Sequence, residues 1–397
     1  MPGGRWFGRG VSTLIVAEIN TFVALLALEP EWRRLEQIAK HKLPFLTFDW
    51  VTSWWEHLRA DRRSVRDNLF IRSVRTTDGE LVAVAPLMLT ERPAVGPLRI
   101  RAVQFLGADP NITELRGVLV SPGHEAAAQQ ALHRDLISCA DQWDWVQWAG
   151  VPAGSPTHHL LSKVKGVHWG RDVSSFVLPL EKTWEAQRAT LRRNIKESIR
   201  KCYNSLKRDN HKMTFHVVQS EDAIEAALED FFRLHTARAR LTETVQHRDV
   251  FESQPARDFL AQICARYGER DTVRLFQLRV NNTVVATRIG FALGSTLYLY
   301  YSGFDPEWAK YSVSTTVVVE AIKYAIAAGF EEVNLSTGND VSKTRWGPRE
   351  VVYRQAHMRS DLLRGRLAMS GYHLAVKSAE HPALSRLRPL LERRSSP

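Results

Sequence analysis

Residues 301–347 read YSGFDPEWAKYSVSTTVVVEAIKYAIAAGFEEVNLSTGNDVSKTRWG, and the order of elements in this stretch decides the fold. A β-rich aromatic run, Thr296–Tyr301, leads into it. Ser314–Ala328 is predicted to be helical and ends before Gly329, a residue that favours helix C-termini. Glu331–Leu335 is predicted to be a strand. The stretch is therefore expected to form a strand, a loop, a helix and a second strand.

The same order of elements occurs twice along the chain. In the second half, three β-runs are joined by the turn-forming pairs Asn281-Asn282 and Gly294-Ser295, which predict an antiparallel meander. In the first half, β-rich runs flank the hairpin signal Asp78-Gly79, and the helical run 123–140 precedes an aromatic strand. We therefore expect an α+β fold of two tandem halves, each a mostly antiparallel sheet flanked by helices. The expected division is 1–172, 173–366 as the catalytic half, and 367–397 as a C-terminal helix and flexible tail.

Composition limits the classes of function. Lys and Arg number 54 against 43 Asp and Glu, so the net charge is +11. Such an excess indicates an anionic partner, which is a phosphorylated cofactor, a nucleic acid or an anionic membrane surface. The chain contains neither a G-x-G-x-x-G motif nor a P-loop, so nucleotide hydrolysis lacks support. Three isolated cysteines and the absence of Cys/His clusters predict neither disulfides nor a metal site.

The N-terminal apolar run over residues 11–28 contains Glu18 and Asn20. A signal peptide needs an unbroken apolar core, so a strand followed by a helix is the expected structure. No uninterrupted apolar run of about 18 residues occurs elsewhere, and no membrane-spanning helix is predicted. Together with the cysteine usage, this predicts a cytoplasmic protein for which peripheral membrane contact stays open.

The junction between the aromatic strand and the following helix is a candidate cofactor site. A helix N-terminus presents free backbone N–H groups and the positive end of the helix dipole, which together bind pyrophosphate well. The flanking residues add a positive charge and hydroxyl donors, and the predicted cofactor-binding set is Lys310, Ser312, Ser314, Thr315 and Thr316. The simpler alternative is a capped helix that binds nothing, because Ser and Thr are common caps.

Residues 301–347 resemble the C-terminal motif of the cellulose-biosynthesis-type acetyltransferases, a family of the GNAT superfamily related to the Fem-type aminoacyl transferases. The family pattern G-x-x-x-x-K-x-x-W-G is matched by Gly338, Lys343, Trp346 and Gly347. The segments PFLTFDWVTSWWEHL and DGELVAVAPL resemble the N-terminal half of the same family, so the resemblance covers about residues 25–365. One departure is Ser312-Val313-Ser314, where the family often has Pro-Gly after a Ser. The resemblance implies two GNAT-like halves.

It also implies a reaction in which an amine directly attacks the thioester of an acyl-CoA donor, acetyl-CoA or longer, without a covalent enzyme intermediate and without a metal. Such a site needs a base for the amine and a proton donor for the leaving thiolate. The predicted catalytic residues are the proton donors Tyr300 and Tyr301 and the carboxylates Asp305 and Asp340, which act as bases or bind the amine. Tyr298 is a further proton-donor candidate, and it joins the predicted substrate-binding set with Lys343, Arg345 and Trp346. Packing is the alternative role for the tyrosines and for Trp346, and solvation for Lys343.

Three functions remain open from the sequence. The first is an acyl-CoA-dependent N-acyltransferase acting on a small amine, a sugar amine or a polysaccharide precursor. The second is a Fem-like transferase that takes its donor from aminoacyl-tRNA, which the basic residues of a predicted helix over Thr183–Asp209 favour. A solvated charged face is the commoner explanation of such residues. The third is a non-catalytic GNAT-like binding module.

Overall fold

The computed structural model describes residues 14–366, with gaps at 41, 94–98, 110, 242–246 and 364. The predicted C-terminal helix and tail, 367–397, lies outside the described residues. The first half contains, in chain order, β1 Ile15–Ile19, α1 Phe22–Ala27, α2 Glu29–Ile38, a 3-10 turn Pro44–Leu46, α3 Phe48–Leu58, β2 Asp61–Arg62, β3 Val65–Leu69, β4 Ile71–Arg75, β5 Leu81–Ala85, β6 Leu87–Arg92, β7 Ile100–Phe105, β8 Leu119–Val120, α4 Glu125–Ser138, β9 Trp145–Pro152, α5 Pro156–Ser162 and β10 Val167–Trp169. The second half contains β11 Val173–Pro179, α6 Trp184–Thr190, α7 Arg193–Arg208, β12 Met213–Val218, α8 Glu221–Ala239, α9 Gln254–Gly268, β13 Val273–Val280, β14 Thr283–Leu293, β15 Thr296–Phe304, a 3-10 turn Pro306–Tyr311, α10 Val313–Ala327, β16 Glu332–Thr337, α11 Val341–Thr344 and β17 Arg349–Arg359.

One large sheet runs through both halves. Its order is β12-β13-β14-β15-β16-β11-β17-β9-β7-β6-β3-β2, with β10 paired to β17, while β1, β4, β5 and β8 form a smaller sheet. The halves join where β17 pairs with β9, from Tyr353 opposite Pro152 to Arg359 opposite Trp145. β11 begins at Val173, where the sequence predicts the second half to start. The two halves therefore share a continuous hydrogen-bonded sheet.

Each half repeats one unit, a strand pair that is parallel for three residues and has a helix in its crossover. In the first half β7 pairs with β9, and α4 lies between them in the chain. In the second half β15 pairs with β16, and α10 lies between them. Most other pairings are antiparallel, as predicted, and the Asp78-Gly79 hairpin joins β4 to β5. The expected α+β tandem architecture is confirmed.

Two helical layers cover the sheet of the second half. Leu297 and Leu299 of β15 pack with α7 and α10 on one face. Tyr298 and Tyr300 pack on the other face with α8, α9 and the first-half helices α2 and α3. This alternation follows from the two-residue period of a strand, and it directs the aromatic side chains of β15 towards the first half.

The prediction of a single helix over Thr183–Asp209 is wrong in one respect. The chain is extended at Leu191 and Arg192, so the segment forms α6 and α7 instead. Leu191 turns into the core at this break, where its burial outweighs the helix propensity of the surrounding residues. The apolar stripe of the prediction is otherwise confirmed, since the following members are buried on α7: Ile195, Ile199, Cys202 and Leu206. None of the helices in the described ranges is long and apolar enough to cross a membrane.

Candidate active site

The sheet opens into a fork between β15 and β16. The two strands pair only from Thr296 opposite Glu332 to Tyr298 opposite Asn334. A bulge then bends β15, because two of its residues, Tyr300 and Tyr301, lie opposite the single residue Ile289 of β14. On the other arm, β16 continues along β11. The fork is therefore a gap in the sheet where β15 beyond Tyr298 no longer pairs with β16.

Glu114, a residue of the first half, bridges the two arms of the fork. Its carboxylate accepts a hydrogen bond of 2.5 Å from the Tyr298 hydroxyl on β15 and bonds of 2.7 and 2.8 Å from the Ser336 hydroxyl on β16. Removal from water raises the pKa of Glu114, although the bonds from Tyr298 and Ser336 and the charges of Lys343 and Arg288 oppose this. A carboxyl group whose pKa is raised towards neutrality is suited to accept and release a proton.

The three predicted tyrosines are brought together, and all three hydroxyls bond to the segment 111–114 of the first half. Tyr298 bonds Glu114, Tyr300 bonds the Ile112 carbonyl at 2.5 Å, and Tyr301 bonds the Asn111 carbonyl at 2.7 Å. The bulge explains why Tyr300 and Tyr301 face the same side although they are consecutive. Burial raises the pKa of each phenol well above its ordinary value. They are neutral hydrogen-bond donors at physiological pH.

The N-terminus of α10 is open to solvent. Ser312 adopts a left-handed conformation, with φ of 56° and ψ of 39°, and its side chain does not cap the helix. Ser312 and Ser314 are exposed, Thr315 is half-buried, and Thr316 is buried with its hydroxyl bonded to the Ser312 carbonyl. Among the first-turn amides, that of Thr315 already donates to the Ser312 carbonyl at 2.9 Å, which leaves those of Val313 and Ser314 for an anion. Ser312 is a non-glycine residue in the left-handed region, and it lies where residues 312–314 differ from the Pro-Gly of the family pattern.

Two predicted residues, Asp305 and Lys310, lie just before the N-terminus of α10. Asp305 caps the preceding 3-10 turn by accepting a bond of 3.0 Å from the Glu307 amide. Lys310 is exposed, and its ammonium group lies 4.9 Å from the centre of the Tyr311 ring. Asp305 has a capping role here, and it shares no described bond with Glu114 or with the tyrosine hydroxyls.

A cationic cavity of about 70 Å³ lies on the α10 side of the fork. Its walls combine both arms of the fork, through Ser302 and Leu335, with Ser314 and Thr315 of α10. It also contains four positively charged side chains and the packing residue Trp346: Arg238, Arg288, Lys343 and Arg345. Among the described residues, Lys343 is the one of these four with a carboxylate at ion-pair distance, since its ammonium group lies 3.3 Å from Asp340, while Glu114 and Asp340 act on Arg288 at longer range.

The charges of this cavity are poorly neutralised. The Nε atoms of Arg288 and Arg345 are buried without a hydrogen-bond partner in the described structure. Removal from water and the charge of Arg238 lower the pKa of Arg288 to about 10, and burial also lowers the pKa of Lys343. Crowded, desolvated cations are costly unless a ligand supplies negative charge. The cavity is therefore a candidate anion site next to the helix N-terminus.

Asp340, Arg345 and Trp346 have local structural contacts. Asp340 is the N-cap of α11; burial opposes ionisation, but the bonds from Ser342 and the charge of Lys343 lower its pKa overall. Arg345 donates to the Ser198 hydroxyl at 3.0 Å. Trp346 is buried and donates to the Ser342 carbonyl at 2.8 Å. The predicted set Lys343, Arg345 and Trp346 is thus brought together at the cationic cavity.

Sequence reasoning missed Glu114, Arg238 and Arg288. Arg288 is a charged residue within the apolar run 283–293, which is a signal that the sequence does contain. Glu114 follows the polar loop 107–113 of the other half, and only tertiary structure brings it to the fork. In the residues described, no group of three or more His, Cys, Asp or Glu side chains could hold a metal ion.

Comparison with known proteins gives the class of the second half. Residues 191–344 match the family model described as an acetyltransferase (GNAT) domain, and this range includes the fork, α10 and three of the four cavity cations. No curated protein matches the sequence. The second half has a GNAT-like fold, and its residues 191–344 resemble a GNAT acetyltransferase domain.

Solved structures resemble the whole described chain. FemX has 12% identity and a TM-score of 0.55, covering 85% of this chain and 96% of its own. A conserved protein of unknown function from Bacteroides thetaiotaomicron has 12% identity and a TM-score of 0.51, covering 87% of this chain and 100% of its own. The C-terminal domain of a putative lysylphosphatidylglycerol synthetase from Agrobacterium fabrum has 10% identity and a TM-score of 0.50, covering 87% and 96%. At these identities the likeness is one of fold.

Proposed function

We propose that this protein is a cytoplasmic acyltransferase of the cellulose-biosynthesis type. It moves an acyl group from an acyl-CoA thioester to an amine, in the modification of a polysaccharide precursor or a small metabolite. The observation that carries the proposal is Glu114, a carboxylate with a raised pKa that bridges the arms of a fork in a GNAT sheet. The open helix N-terminus and the cationic cavity support an anionic donor on the α10 side.

The donor diphosphate binds at the first turn of α10, where free amides, the helix dipole and the Ser314 and Thr315 side chains meet it. Lys310 adds positive charge at the exposed rim. The acyl-bearing end of the donor then enters the fork. Arg288 and Lys343 stabilise the negative charge that develops on the carbonyl oxygen and then on the departing sulfur. No covalent enzyme intermediate is needed, because the amine attacks the thioester carbon directly.

Glu114 accepts the proton that the attacking nitrogen loses, and it approaches from the face opposite α10. Tyr298 and Ser336 hold its carboxylate by donating hydrogen bonds. This assigns Tyr298 to positioning the base, and it assigns Tyr300 and Tyr301 to fixing the 111–114 segment. Asp340 orients Lys343 through their ion pair, and neither Asp305 nor Asp340 is needed as the base.

Ser314→Asp is expected to weaken binding of acetyl-CoA about tenfold or more without destabilising the fold. The new carboxylate repels the diphosphate, while an acidic residue in the first turn of a helix stabilises it by about 0.3–1 kcal/mol. Isothermal titration and thermal unfolding measure the two effects. Ser314→Asn is the matched control, with similar size and no charge. Equal affinity in the Asp and Asn variants would contradict the placement of the diphosphate.

A second donor, aminoacyl-tRNA, is favoured by the surface of α7. A broad groove of about 580 Å³ runs between α7 and the 3-10 turn before α10, and it is lined by Arg200, Lys201, Arg208 and Lys310. Only Glu197 and Asp209 contribute negative charge to it. A basic groove beside the N-terminus of α10, the proposed site of the donor diphosphate, fits a polyanion as well as it fits a nucleotide cofactor.

Replacing Arg192, Arg193, Arg200 and Lys201 together by Gln separates the two donors. If tRNA is the donor, its affinity falls and the slope of log affinity against log salt decreases by about 3, because each released counterion contributes about 0.7–0.9. Filter binding at several salt concentrations measures this. The control carries four Gln substitutions at exposed cations of the first half, Arg62, Arg63, Lys163 and Lys165. An unchanged slope in the α7 variant rules out tRNA as the donor.

A further inference from the structure

A second cavity, in the first half, has a volume of about 370 Å³, which is in the range of small-molecule sites. It lies between the segment 116–120, the strand β9 and the helices α4 and α5, and it reaches Tyr353 of β17. Its walls are largely apolar, including Leu43, Leu46, Val118, Trp148 and Val151. We call it the first-half cavity.

Three polar side chains line the first-half cavity without any hydrogen-bond partner among the residues described: Arg116, Gln129 and Tyr353. Gln129 is only 4% exposed, and Arg116 and Tyr353 are partly buried. Asp109 acts on Arg116 electrostatically, but its carboxylate already accepts bonds from Trp54, Ile112 and Thr113. None of their polar atoms is both buried and unpaired among the described residues, so these atoms reach solvent and can bond a ligand in the cavity.

The segment that follows Glu114 forms part of the cavity wall. Burial alternates from Glu114 to Val120, with Leu115, Gly117 and Leu119 buried. Arg116, Gly117, Val118 and Val120 line the cavity, and Glu114 lies two residues before Arg116. Tyr353 lies at the other side, and it is close enough to Tyr298 to influence that phenol electrostatically. The position of Glu114 close to Arg116 in the chain, and the effect of Tyr353 on Tyr298, the hydrogen-bond partner of Glu114, link the cavity to the fork.

We propose that the first-half cavity binds the acceptor, an amine with an apolar body and one anionic oxygen group, carboxylate or phosphate. The proposal rests on the proposed function, in which Glu114 takes the proton of the acceptor amine. The apolar walls hold the body, Arg116 binds the anionic group, and Gln129 and Tyr353 donate further hydrogen bonds. The guanidinium fork matches carboxylate and phosphate equally well.

Two further charged side chains line the first-half cavity. Lys40 is exposed and adds positive charge at the cavity, whereas Glu125, which is half-buried like Arg116, adds negative charge. The donor corner at α10 lies on the opposite face of the sheet, because Leu297 and Leu299 face α10 while Tyr298 faces Glu114. Donor and acceptor therefore approach the fork from opposite faces, as direct transfer requires.

Binding without a donor tests the cavity separately from catalysis. We expect 6-aminohexanoate or 6-aminohexyl phosphate to bind the full-length protein in isothermal titration, and hexylamine to bind at least about tenfold more weakly, because a charged hydrogen bond is lost. The comparison of the two anions identifies the preferred group. Equal binding of hexylamine and both anionic probes, or no binding of any of them, would overturn the proposal.

Arg116→Met and Gln129→Leu distinguish a ligand site from a structural one. Each keeps the approximate volume and breaks no hydrogen bond among the described residues, so the melting temperature is expected to stay about the same. Affinity for the anionic probe should fall about tenfold or more in Arg116→Met. Arg63→Met, at an exposed turn, is the control and should change neither quantity. A lower melting temperature with unchanged probe affinity would assign these residues a structural role and overturn the proposal.

The outcomes separate this inference from the proposed function. Probe binding that depends on Arg116, in a protein that transfers no acyl group, supports the site and contradicts the transferase. Conversely, acyl transfer with an acceptor KM that is unaffected by Arg116→Met supports the transferase and overturns the acceptor pocket. Competition of acetyl-CoA with the probe at this cavity would also overturn it.

Discussion

Glu114→Gln is expected to lower kcat/KM for acyl transfer by about 10²–10⁴, the usual contribution of a general base. The amide keeps the size of the side chain and can still accept the hydrogen bonds of Tyr298 and Ser336, but it cannot take a proton from the attacking amine. Steady-state kinetics with acetyl-CoA and an accepted amine measure the loss. The affinity for the donor should not change, because the donor binds on the other face of the fork.

The pH profile gives the second part of this expectation. The base works when ionised, so kcat/KM in the wild type falls as the pH drops through the pKa of Glu114, which desolvation raises above its ordinary value of 4.5. This fall of kcat/KM at low pH, the acidic limb of the profile, should disappear in Glu114→Gln. The raised pKa means that the folded state binds the proton more tightly than the unfolded chain does. Ionisation of Glu114 therefore costs stability as the pH rises, and the Gln variant should be at least as stable at neutral pH.

Glu36→Gln is the matched control for this experiment. Glu36 is also a desolvated acid, whose pKa burial raises to about 7, but it accepts its bond from the Phe48 amide and has no described contact with the fork. Its replacement should leave kcat/KM and the acidic limb in place. If Glu114→Gln retained wild-type activity, or if both variants lost the limb equally, Glu114 would not be the base.

Arg288→Met is expected to raise the KM for the donor and lower kcat/KM by about 10- to 100-fold, since a charged hydrogen bond in a desolvated site contributes about 1.5–3 kcal/mol. The protein should nevertheless be as stable as the wild type or more so. Arg288 is a desolvated cation whose Nε has no hydrogen-bond partner among the described residues, and Met replaces it with an apolar side chain of similar length. Donor titration and thermal unfolding together separate this from a folding defect.

Arg233→Met provides the comparison. Arg233 is an exposed cation on α8, paired with Asp230, and it does not line the cationic cavity. Loss of this charge should change donor affinity by less than about twofold, because exposed ion pairs contribute about 0–1 kcal/mol. A similar loss in both variants would indicate a general effect of net charge, and it would contradict a specific role for the cavity.

The sequence by itself determined the tandem α+β order, the strand-loop-helix junction and the apolar stripe of α7. These features depend on local periodicity and turn chemistry, which a single chain segment already contains. It also collected Lys343, Arg345 and Trp346 in one loop, which the structure keeps together at the cationic cavity. The roles given to Tyr300, Tyr301, Asp305 and Asp340 remain predictions about chemistry that the fold alone does not test.

Only the tertiary structure decided which carboxylate reaches the fork. Glu114 and Tyr298 are 184 residues apart in the chain, and their hydrogen bond depends on the packing of the first half against β15. The raised pKa of Glu114 and the buried, unpaired Nε of Arg288 likewise arise from desolvation by residues distant in sequence. Periodicity reports which face of an element is apolar, whereas burial of a charge depends on what the folded chain brings around it.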